Sequence, residues 1–173
     1  MRYCAIAALL LPASCSRQPD YYSPAAARPA ARMIAPGELA HFTSMSAPGA
    51  ANHIVSGVLD QGGDSWRWCG QEVQLRFRVP VSRGLKFRTE LAIADMTFPQ
   101  TGPVRIEVSI DGGPPHAIDF DKPETRTVEW EIADGSVAAG QPVKVVFSAS
   151  KTWPPPGGGE RLAFILTSAG FVQ

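Results

Sequence analysis

Cysteine is scarce in this chain, and its scarcity excludes two kinds of structure. The 173 residues contain three cysteines, of which Cys4 and Cys15 lie in an N-terminal segment unlike the rest. Cys69 is therefore expected alone in the folded part, where it can form neither a disulfide nor a cysteine-based zinc site. A solitary thiol is safest as a small buried apolar side chain, and burial is the prediction for Cys69.

Net charge and long apolar runs are missing as well. Lys+Arg and Asp+Glu number 16 each, so the formal net charge is zero. A balanced surface lacks the basic patch that nucleic acids require, and no nucleic-acid partner is expected. The sequence has no run of roughly 20 apolar residues of the kind that spans a bilayer as a helix. Any attachment to a membrane is therefore expected through a lipid anchor only.

Motifs of catalysis and metal binding are not found either. The three histidines, His41, His53 and His116, have no metal-ligand spacing, and no nucleophile motif such as G-x-S-x-G occurs. Alternating strands can bring many carboxylates together, so no hydrolase pair stands out. The acidic run at 119–124 contains Lys122 and lacks EF-hand spacing, which favours a solvated turn over a calcium site. We predict no enzyme activity, no cofactor and no metal.

The N-terminus has the parts of an export signal. Arg2 supplies a positive start, residues 5–11 are apolar, and two small residues precede Cys15. The segment resembles a bacterial lipoprotein signal, which implies cleavage before Cys15 and its acylation, and several acyl chains would anchor the protein stably. Ser16 implies sorting to the outer membrane where the cell has one. Ordinary secretion and an uncleaved cytosolic start stay open as alternatives.

A change in composition follows this signal. Residues 15–32 mix Pro, Ala, Ser and charge without apolar periodicity, which predicts an extended tether. The predicted organisation is a signal peptide at 1–14, a tether at 15–32 and a folded domain at 33–173. We expect an exported protein of the cell envelope whose domain stands clear of the lipid surface.

Alternation of apolar and polar residues dominates the rest of the chain. In residues 72–80, four apolar side chains alternate with polar or charged ones, which is typical of a strand with one solvated face. Comparable strand signals occur at 53–59, 85–93, 104–110, 116–120, 125–132, 142–150 and 161–172. The "DGG" turn predicts a hairpin at 104–120. About eight strands without sustained helical periodicity predict an all-β fold, an antiparallel sandwich or jelly roll.

Three segments carry a family resemblance. In the first, Gly57 and Asp60 precede the pair Arg67–Trp68 and a long alternating strand; the second is the hairpin at 104–120, and the third is the loop and strand at 151–171. Together they resemble galactose-binding-like jelly-roll domains attached to bacterial cell-surface glycosyltransferases. The resemblance implies a β-sandwich with a non-catalytic, accessory role near envelope glycans.

Aromatic side chains supply the candidate ligand-binding residues. Pyranose rings pack their C–H faces on aromatic rings while polar groups hold the hydroxyls. Trp153, in a Pro- and Gly-rich loop, is the main candidate, and packing over the end of the sandwich is the alternative for it. The other candidates are Trp66, Arg67, Glu160 and Arg161.

Structural roles are expected for several neighbouring residues. Trp68 and Trp130 are predicted to be core residues, and Arg161, if buried, is expected to pair with Asp60 or Asp64. The sequence therefore favours a protein that binds an envelope glycan. A structural or assembly lipoprotein that docks on another envelope protein through a sheet edge is the alternative.

Overall fold

The computed structural model of the protein describes residues 37–173. Cys15, the predicted signal at 1–14 and the predicted tether at 15–32 lie outside these residues. None of the helices described is long and apolar enough to cross a membrane. The elements are β1 Phe42–Ser44, α1 Ala50–His53, β2 Ile54–Gly62, β3 Arg67–Arg78, β4 Lys86–Ile93, α2 Phe98–Thr101, β5 Val104–Ile110, β6 His116–Phe120, β7 Glu124–Glu131, β8 Pro142–Ala149 and β9 Phe164–Val172.

All strand pairs are antiparallel, and one long strand joins two layers. The strands pair in the order β6-β5-β8-β3-β9-β4-β7, with β1 beside β9 and β2 beside β3. Residues 72–78 of β3 pair with β8, whereas residues 67–69 pair with β9. One layer is therefore β6-β5-β8-β3-β2 and the other contains β7-β4-β9 and β1. This architecture confirms the predicted all-β antiparallel sandwich.

The apolar positions of the two layers face each other and form the main core. The ring centroid of Phe77 in β3 lies 6.4 Å from that of Phe87 in β4 and 6.0 Å from that of Phe171 in β9, and the centroid of Phe147 in β8 lies 6.3 Å from that of Phe87. All four rings are fully buried. Burying each such side chain stabilises the fold by about 1.5–3 kcal/mol. Cys69 also lies in this core, which confirms its predicted burial.

The predicted strands are present, and one further strand is found. The "DGG" hairpin is confirmed by the antiparallel pairing of β5 with β6, and its turn has positive φ at Asp111 and Gly112, 48° and 75°. Such φ values are what a tight hairpin turn of this type requires. The sequence misses β1 because three residues are too few for an alternation to be recognised.

Strand β2 is irregular, and Gly57 explains part of the irregularity. The pairing of β2 with β3 shifts register three times along its length. Gly57 has φ +77°, and a Cβ atom at this position would overlap the backbone carbonyl of Glu72. A glycine is needed where two backbones approach so closely. Gly57 belongs to the first of the three segments that carry the family resemblance, and its role in the structure is to let the backbones of β2 and β3 pack closely.

Candidate functional site

A cleft opens where the last strand of one layer meets the last strand of the other. Strand β6 ends the first layer and β7 ends the second, and each pairs with one neighbour only among the described strands. Between them lies a half-open cleft of about 360 Å³, a size within the usual range of ligand sites. We call it the edge cleft. It is lined by Val108, Ile110, Gly113, Pro114, Pro115, His116, Trp130, Glu131, Ile132, Ala133 and Ser136.

The wall on the β6 side follows from the hairpin turn. The chain reverses at Asp111 and Gly112, and the Asp111 carboxylate fixes the turn by accepting a hydrogen bond from the Lys144 backbone N–H at 2.7 Å. Pro114 and Pro115 follow in an exposed, extended stretch, since each proline fixes its own φ. His116 is the first residue of β6. A rigid apolar wall therefore ends in an imidazole ring.

The wall on the β7 side is built around Trp130. Its register opposite Phe87 places Trp130 on the inner face of β7, and the two ring centroids are 5.0 Å apart. Trp130 is predicted as a core residue and does pack against the main core, yet it is half-buried and lines the cleft. The reason is that β7 is an edge strand, so no further strand covers the open side of the ring.

His116 and Trp130 form a stacked pair across the cleft. Their ring centroids are 4.2 Å apart and their planes differ by 4°. Both rings are half-buried. Phe87 supports Trp130 from within the core, so the pair is held in place before any ligand arrives. Because face-to-face stacking covers one face of each ring, a sugar would contact this pair at the opposite face of His116 or at the ring edges.

The backbone of Glu131 adds polar groups to the same cleft. The Ile132 N–H donates to the Leu85 carbonyl at 2.8 Å, and Glu131 is opposite Lys86. Hydrogen-bonded and non-bonded pairs alternate in an antiparallel ladder, so the N–H and C=O of Glu131 point away from β4 towards the free edge. Its side chain lies on the outer face, because it alternates with Trp130. Glu131 therefore offers one backbone donor and one acceptor to the cleft.

The other end of the space between β6 and β7 is closed by Arg126. Its Nη1 donates to the carbonyl oxygen of Asp119 at 2.7 Å, and its guanidinium lies 5.5 Å from the centroid of the Phe120 ring. An inward charge of this kind also protects an exposed strand edge from pairing with other chains. The accessible part of the edge is therefore the end near His116 and Trp130.

Two of the three carboxylates in the acidic run at 119–124, those of Asp119 and Glu124, form ion pairs. A hydrogen bond from Arg105 to the Asp119 carboxylate, 2.7 Å long, holds the pKa of Asp119 below its ordinary value. Glu124 contacts Lys122 at 3.5 Å and Arg126 at 3.9 Å. Within residues 37–173, no three His, Cys, Asp or Glu side chains are grouped so that they could hold a metal ion.

The sequence-predicted site around Trp153 is a closed apolar cluster. Trp153 is 3% exposed and packs with Leu59, Trp68 and Leu162; we call this group the satellite cluster. Trp68 points to the opposite face of β3 from Cys69, so the cluster lies outside the main core. The ring of Trp153 is therefore covered, and the packing alternative, not an exposed platform, describes it. Two backbone hydrogen bonds to Leu162, 2.6 and 2.8 Å long, fold the loop back over the cluster.

The other residues predicted as ligand contacts, Trp66, Arg67, Glu160 and Arg161, do not line the edge cleft. Trp66 is half-buried and meets Trp68 edge-on, with centroids 6.0 Å apart. Arg67 donates from Nη1 to the carbonyls of Gly63 and Trp66, which fixes the loop before β3. Glu160 is exposed.

The condition for a pair between Arg161 and Asp60 or Asp64, burial of Arg161, is not met. Arg161 is exposed, and it donates from Nε to the hydroxyl of Thr152 at 2.6 Å and from Nη2 to the Thr152 carbonyl at 3.2 Å. It forms no ion pair with Asp60 or Asp64 in the described part of the chain. The guanidinium instead joins the two ends of the loop that contains Trp153.

A second cavity of about 350 Å³ lies between α1, β2 and the start of β3. Met45, Ile54 and Leu59 form its apolar part, and Asp60 and Arg67 border it. Arg67 already uses Nη1 on two backbone carbonyls. This cavity offers no aromatic ring, so the edge cleft is the better candidate for a sugar site.

Comparison with known proteins finds similarity in structure only. No protein-family profile matches the chain, and no curated protein matches it. The fold is similar to part of a family GH115 4-O-methyl-α-glucuronidase with specificity for decorated arabinogalactans, with 11% identity over 79% of this chain and 18% of that chain and a TM-score of 0.47. It is also similar to part of an exo-β-1,3-galactanase from Phanerochaete chrysosporium, with 12% identity, 78% and 29% coverage and a TM-score of 0.44.

A third similar structure is a family 35 carbohydrate-binding module from Clostridium thermocellum. It shares 13% identity over 76% of this chain and 98% of the module, with a TM-score of 0.44. The chain thus spans less than a third of each of the two enzymes and nearly all of the binding module. At these identities the similarity concerns architecture alone, and function is argued below from the residues of this chain.

Proposed function

We propose that this protein is a non-catalytic glycan-binding protein that holds a sugar ring in the edge cleft. The observation that supports this most directly is the stacked pair of His116 and Trp130, 4.2 Å apart and half-buried. A pyranose gains dispersion and desolvation energy on such a surface without ordering a long side chain. Pro114 and Pro115 extend the apolar wall and lose little conformational entropy on binding.

The composition of the cleft favours binding over hydrolysis. Glycoside hydrolases place two carboxylic groups on either side of the scissile bond. One acidic residue, Glu131, lines the cleft. Its side chain lies on the outer face of β7, because successive side chains of a strand point to opposite faces. We therefore assign His116 and Trp130 to contact with the ligand and not to proton transfer.

The test is a titration of the full-length protein with neutral oligosaccharides, followed by tryptophan fluorescence and calorimetry. We expect saturable binding that weakens about two- to tenfold in His116→Ala, since one aromatic contact is worth about 0.5–1.5 kcal/mol. His41→Ala is the matched control, because His41 is exposed and does not line the cleft. Trp66→Ala tests the sequence-predicted site separately. A loss in Trp66→Ala with full binding by His116→Ala would place the site beside the satellite cluster instead.

The cellular setting belongs to the same proposal. The N-terminal segment supports export and lipid attachment at Cys15, which would place the domain among the glycans of the cell envelope. Envelope proteins are the alternative partner, and the free edge of β7 is what favours them, because a peptide strand can pair with such an edge. A flat response to sugars combined with binding of an extended peptide would replace the glycan proposal with that one.

A further inference from the structure

We infer that a basic surface on the outer face of the first layer contacts anionic lipid headgroups and so orients the domain, an inference that rests on the proposed lipid attachment. The surface consists of Arg76 and Arg78 of β3 and Lys144 of β8, and we call it the basic face. Phe77 and the valines on either side of Lys144 are buried in the main core, so the three cationic side chains point outward by alternation. All three residues are exposed.

Two of these cations face each other at a close cross-strand position. Arg76 is opposite Lys144 in the pairing of β3 with β8. The Lys144 C=O accepts from the Asp111 N–H at 2.8 Å, and the Lys144 N–H donates to the Asp111 carboxylate at 2.7 Å. The backbone groups of Lys144 are therefore directed away from β3, which makes Arg76 and Lys144 a non-hydrogen-bonded pair, the kind whose side chains lie closer. Like charges at opposite positions repel, so an anionic partner would stabilise this pair.

No ion pair neutralises the basic face within residues 37–173. Arg76 donates from Nε to the Asn52 carbonyl at 3.0 Å, and none of the three cations pairs with a carboxylate there. Two acidic residues belong to the same region. The Asp111 carboxylate accepts from the backbone of Lys144, and the Glu38 carbonyl accepts from the Asn52 side chain at 3.1 Å. Three cations against two acidic residues leave the region with an excess of positive charge.

Other acidic residues of the outer face lie at its opposite end. Glu72 of β3 and Glu107 of β5 are each opposite Ser148 of β8. Ser148 is four residues along β8 from Lys144, a separation of about 13 Å at about 3.3 Å per residue. The Debye length at physiological ionic strength is shorter, about 8 Å. The formal charge of the whole chain is zero, so the basic face is a local excess that distant carboxylates screen little.

The chain enters the domain at the basic end of this face. The Arg78 N–H donates to the Ala40 carbonyl at 3.0 Å. Residues 16–36 contain three arginines and one aspartate, so the segment before the domain adds positive charge. The 22 residues from Cys15 to Gly37 reach at most about 75 Å. An anchor at Cys15 would therefore keep the basic face at a high effective concentration near the headgroups, where basic clusters beside an anchor bind anionic lipids.

The experiment measures this contact without the acyl chains. The full-length Cys15→Ser protein, which cannot be acylated at that position, is mixed with phosphatidylcholine vesicles with and without phosphatidylglycerol, and the bound fraction is measured by sedimentation. We expect tighter binding to the vesicles that contain phosphatidylglycerol. The preference should shrink between about 0.05 M and about 0.5 M salt, because salt screens the attraction.

A pair of lysine variants separates the basic face from the overall charge of the protein. In the Cys15→Ser background, Lys144→Glu should weaken binding to the anionic vesicles about fivefold or more, since one cation near such a bilayer contributes about fivefold. Lys122→Glu makes the same change of charge at an exposed position at the opposite end of the β5–β6 hairpin, and it should keep the binding of the parent protein. Arg78→Gln should show a loss smaller than that of Lys144→Glu, because it removes a charge without reversing it.

The outcomes separate this inference from the function on which it rests. Equal binding to both kinds of vesicle would overturn the inference, and so would equal weakening by Lys144→Glu and Lys122→Glu. An unchanged preference in both Lys144→Glu and Arg78→Gln would assign it to the arginines before the domain instead. Binding of a soluble anionic polysaccharide, with no binding to vesicles, would replace the membrane as the partner. The assay uses neither the acyl chains nor the edge cleft, so its failure would leave the proposed lipid attachment and glycan binding standing.

Discussion

His53 is a buried imidazole in contact with the main core. Its ring lies 5.1 Å from that of Phe77, and it has no exposed surface. Nδ1 is 2.9 Å from the carbonyl oxygen of Arg76, so Nδ1 carries the proton, and Nε2 has no hydrogen-bond partner in the described part of the chain. Burial lowers the pKa of His53 below its ordinary value of 6.5; the bond to the Arg76 carbonyl opposes this shift, and the Arg76 charge adds to it.

The lowered pKa of His53 predicts a loss of stability in mild acid. The unfolded chain takes up a proton near pH 6.5, whereas the folded protein resists it. The free energy of unfolding therefore falls as the pH drops below this value, by at most about 1.4 kcal/mol per pH unit. Urea unfolding at several pH values measures the slope.

Matched histidine variants test the assignment of this slope. His53→Asn can keep the hydrogen bond to the Arg76 carbonyl while it removes the titration, so we expect a smaller slope between about pH 5 and 7. His41→Asn, at an exposed position, should keep the slope. The pKa values of Asp119 and Glu129 are lowered, mainly by hydrogen bonds from Arg105 and Arg88. These carboxylates therefore change the free energy of unfolding as the pH falls below their ordinary pKa values of 3.8 and 4.5. An unchanged slope in His53→Asn would contradict the assignment.

Strands and loops differ in how far the sequence predicts them. Strand patterns and turn residues are local properties, so they locate β2 to β9 and the "DGG" hairpin, and the inner position of a residue such as Trp130 follows from alternation. The edge cleft depends on which strands end the two layers. Its central contact joins His116 and Trp130, which no local pattern pairs. The sequence patterns therefore do not identify the residues of the cleft, even though the "PPH" segment stands directly after the turn.

The loop that contains Trp153 follows the packing alternative, which the sequence could not choose over an exposed ring. Its Pro and Gly content predicts an irregular, exposed segment, and by that measure an accessible ring. Whether a loop covers or exposes a tryptophan depends on the surface beneath it. Here Trp68, Leu59 and Leu162 form an apolar surface on the outer side of β3, and Trp153 covers it. The energy of burying the ring outweighs the tendency of the loop to stay open.

This arrangement predicts that Trp153 stabilises the protein. Trp153→Ala should lower the free energy of unfolding by about 3–5 kcal/mol, as expected for removal of a buried tryptophan. Trp153→Phe should cost less, because it keeps most of the ring and removes Nε1, a buried donor without a partner in the described structure. Urea denaturation measures both. Trp66→Ala is the control, with a smaller loss because Trp66 is half-buried; full stability of Trp153→Ala would mean that the loop does not pack as described.

The whole protein joins a sandwich to an N-terminal segment of different composition. Residues 37–173 supply a core between two layers and a cleft at their edge. The sandwich has few large exposed apolar side chains, of which Val55 and Met96 are 53% and 58% exposed. Single exposed apolar residues do not form a membrane-binding patch. The membrane attachment proposed above is assigned to the N-terminal segment.

The proposed lipid attachment depends on Cys15. Produced in a bacterium that processes lipoproteins, the full-length protein should fractionate with membranes and resist extraction by high salt, because attached acyl chains hold it by the hydrophobic effect, at about 0.8 kcal/mol per buried CH₂ group. Cys15→Ser should release it into the soluble fraction, whereas Cys4→Ser should not, since Cys4 precedes the expected cleavage position. Mass spectrometry of the N-terminal peptide would identify the acyl chains directly. A soluble wild-type protein cleaved elsewhere would favour ordinary secretion, and an intact N-terminus would favour the cytosolic alternative.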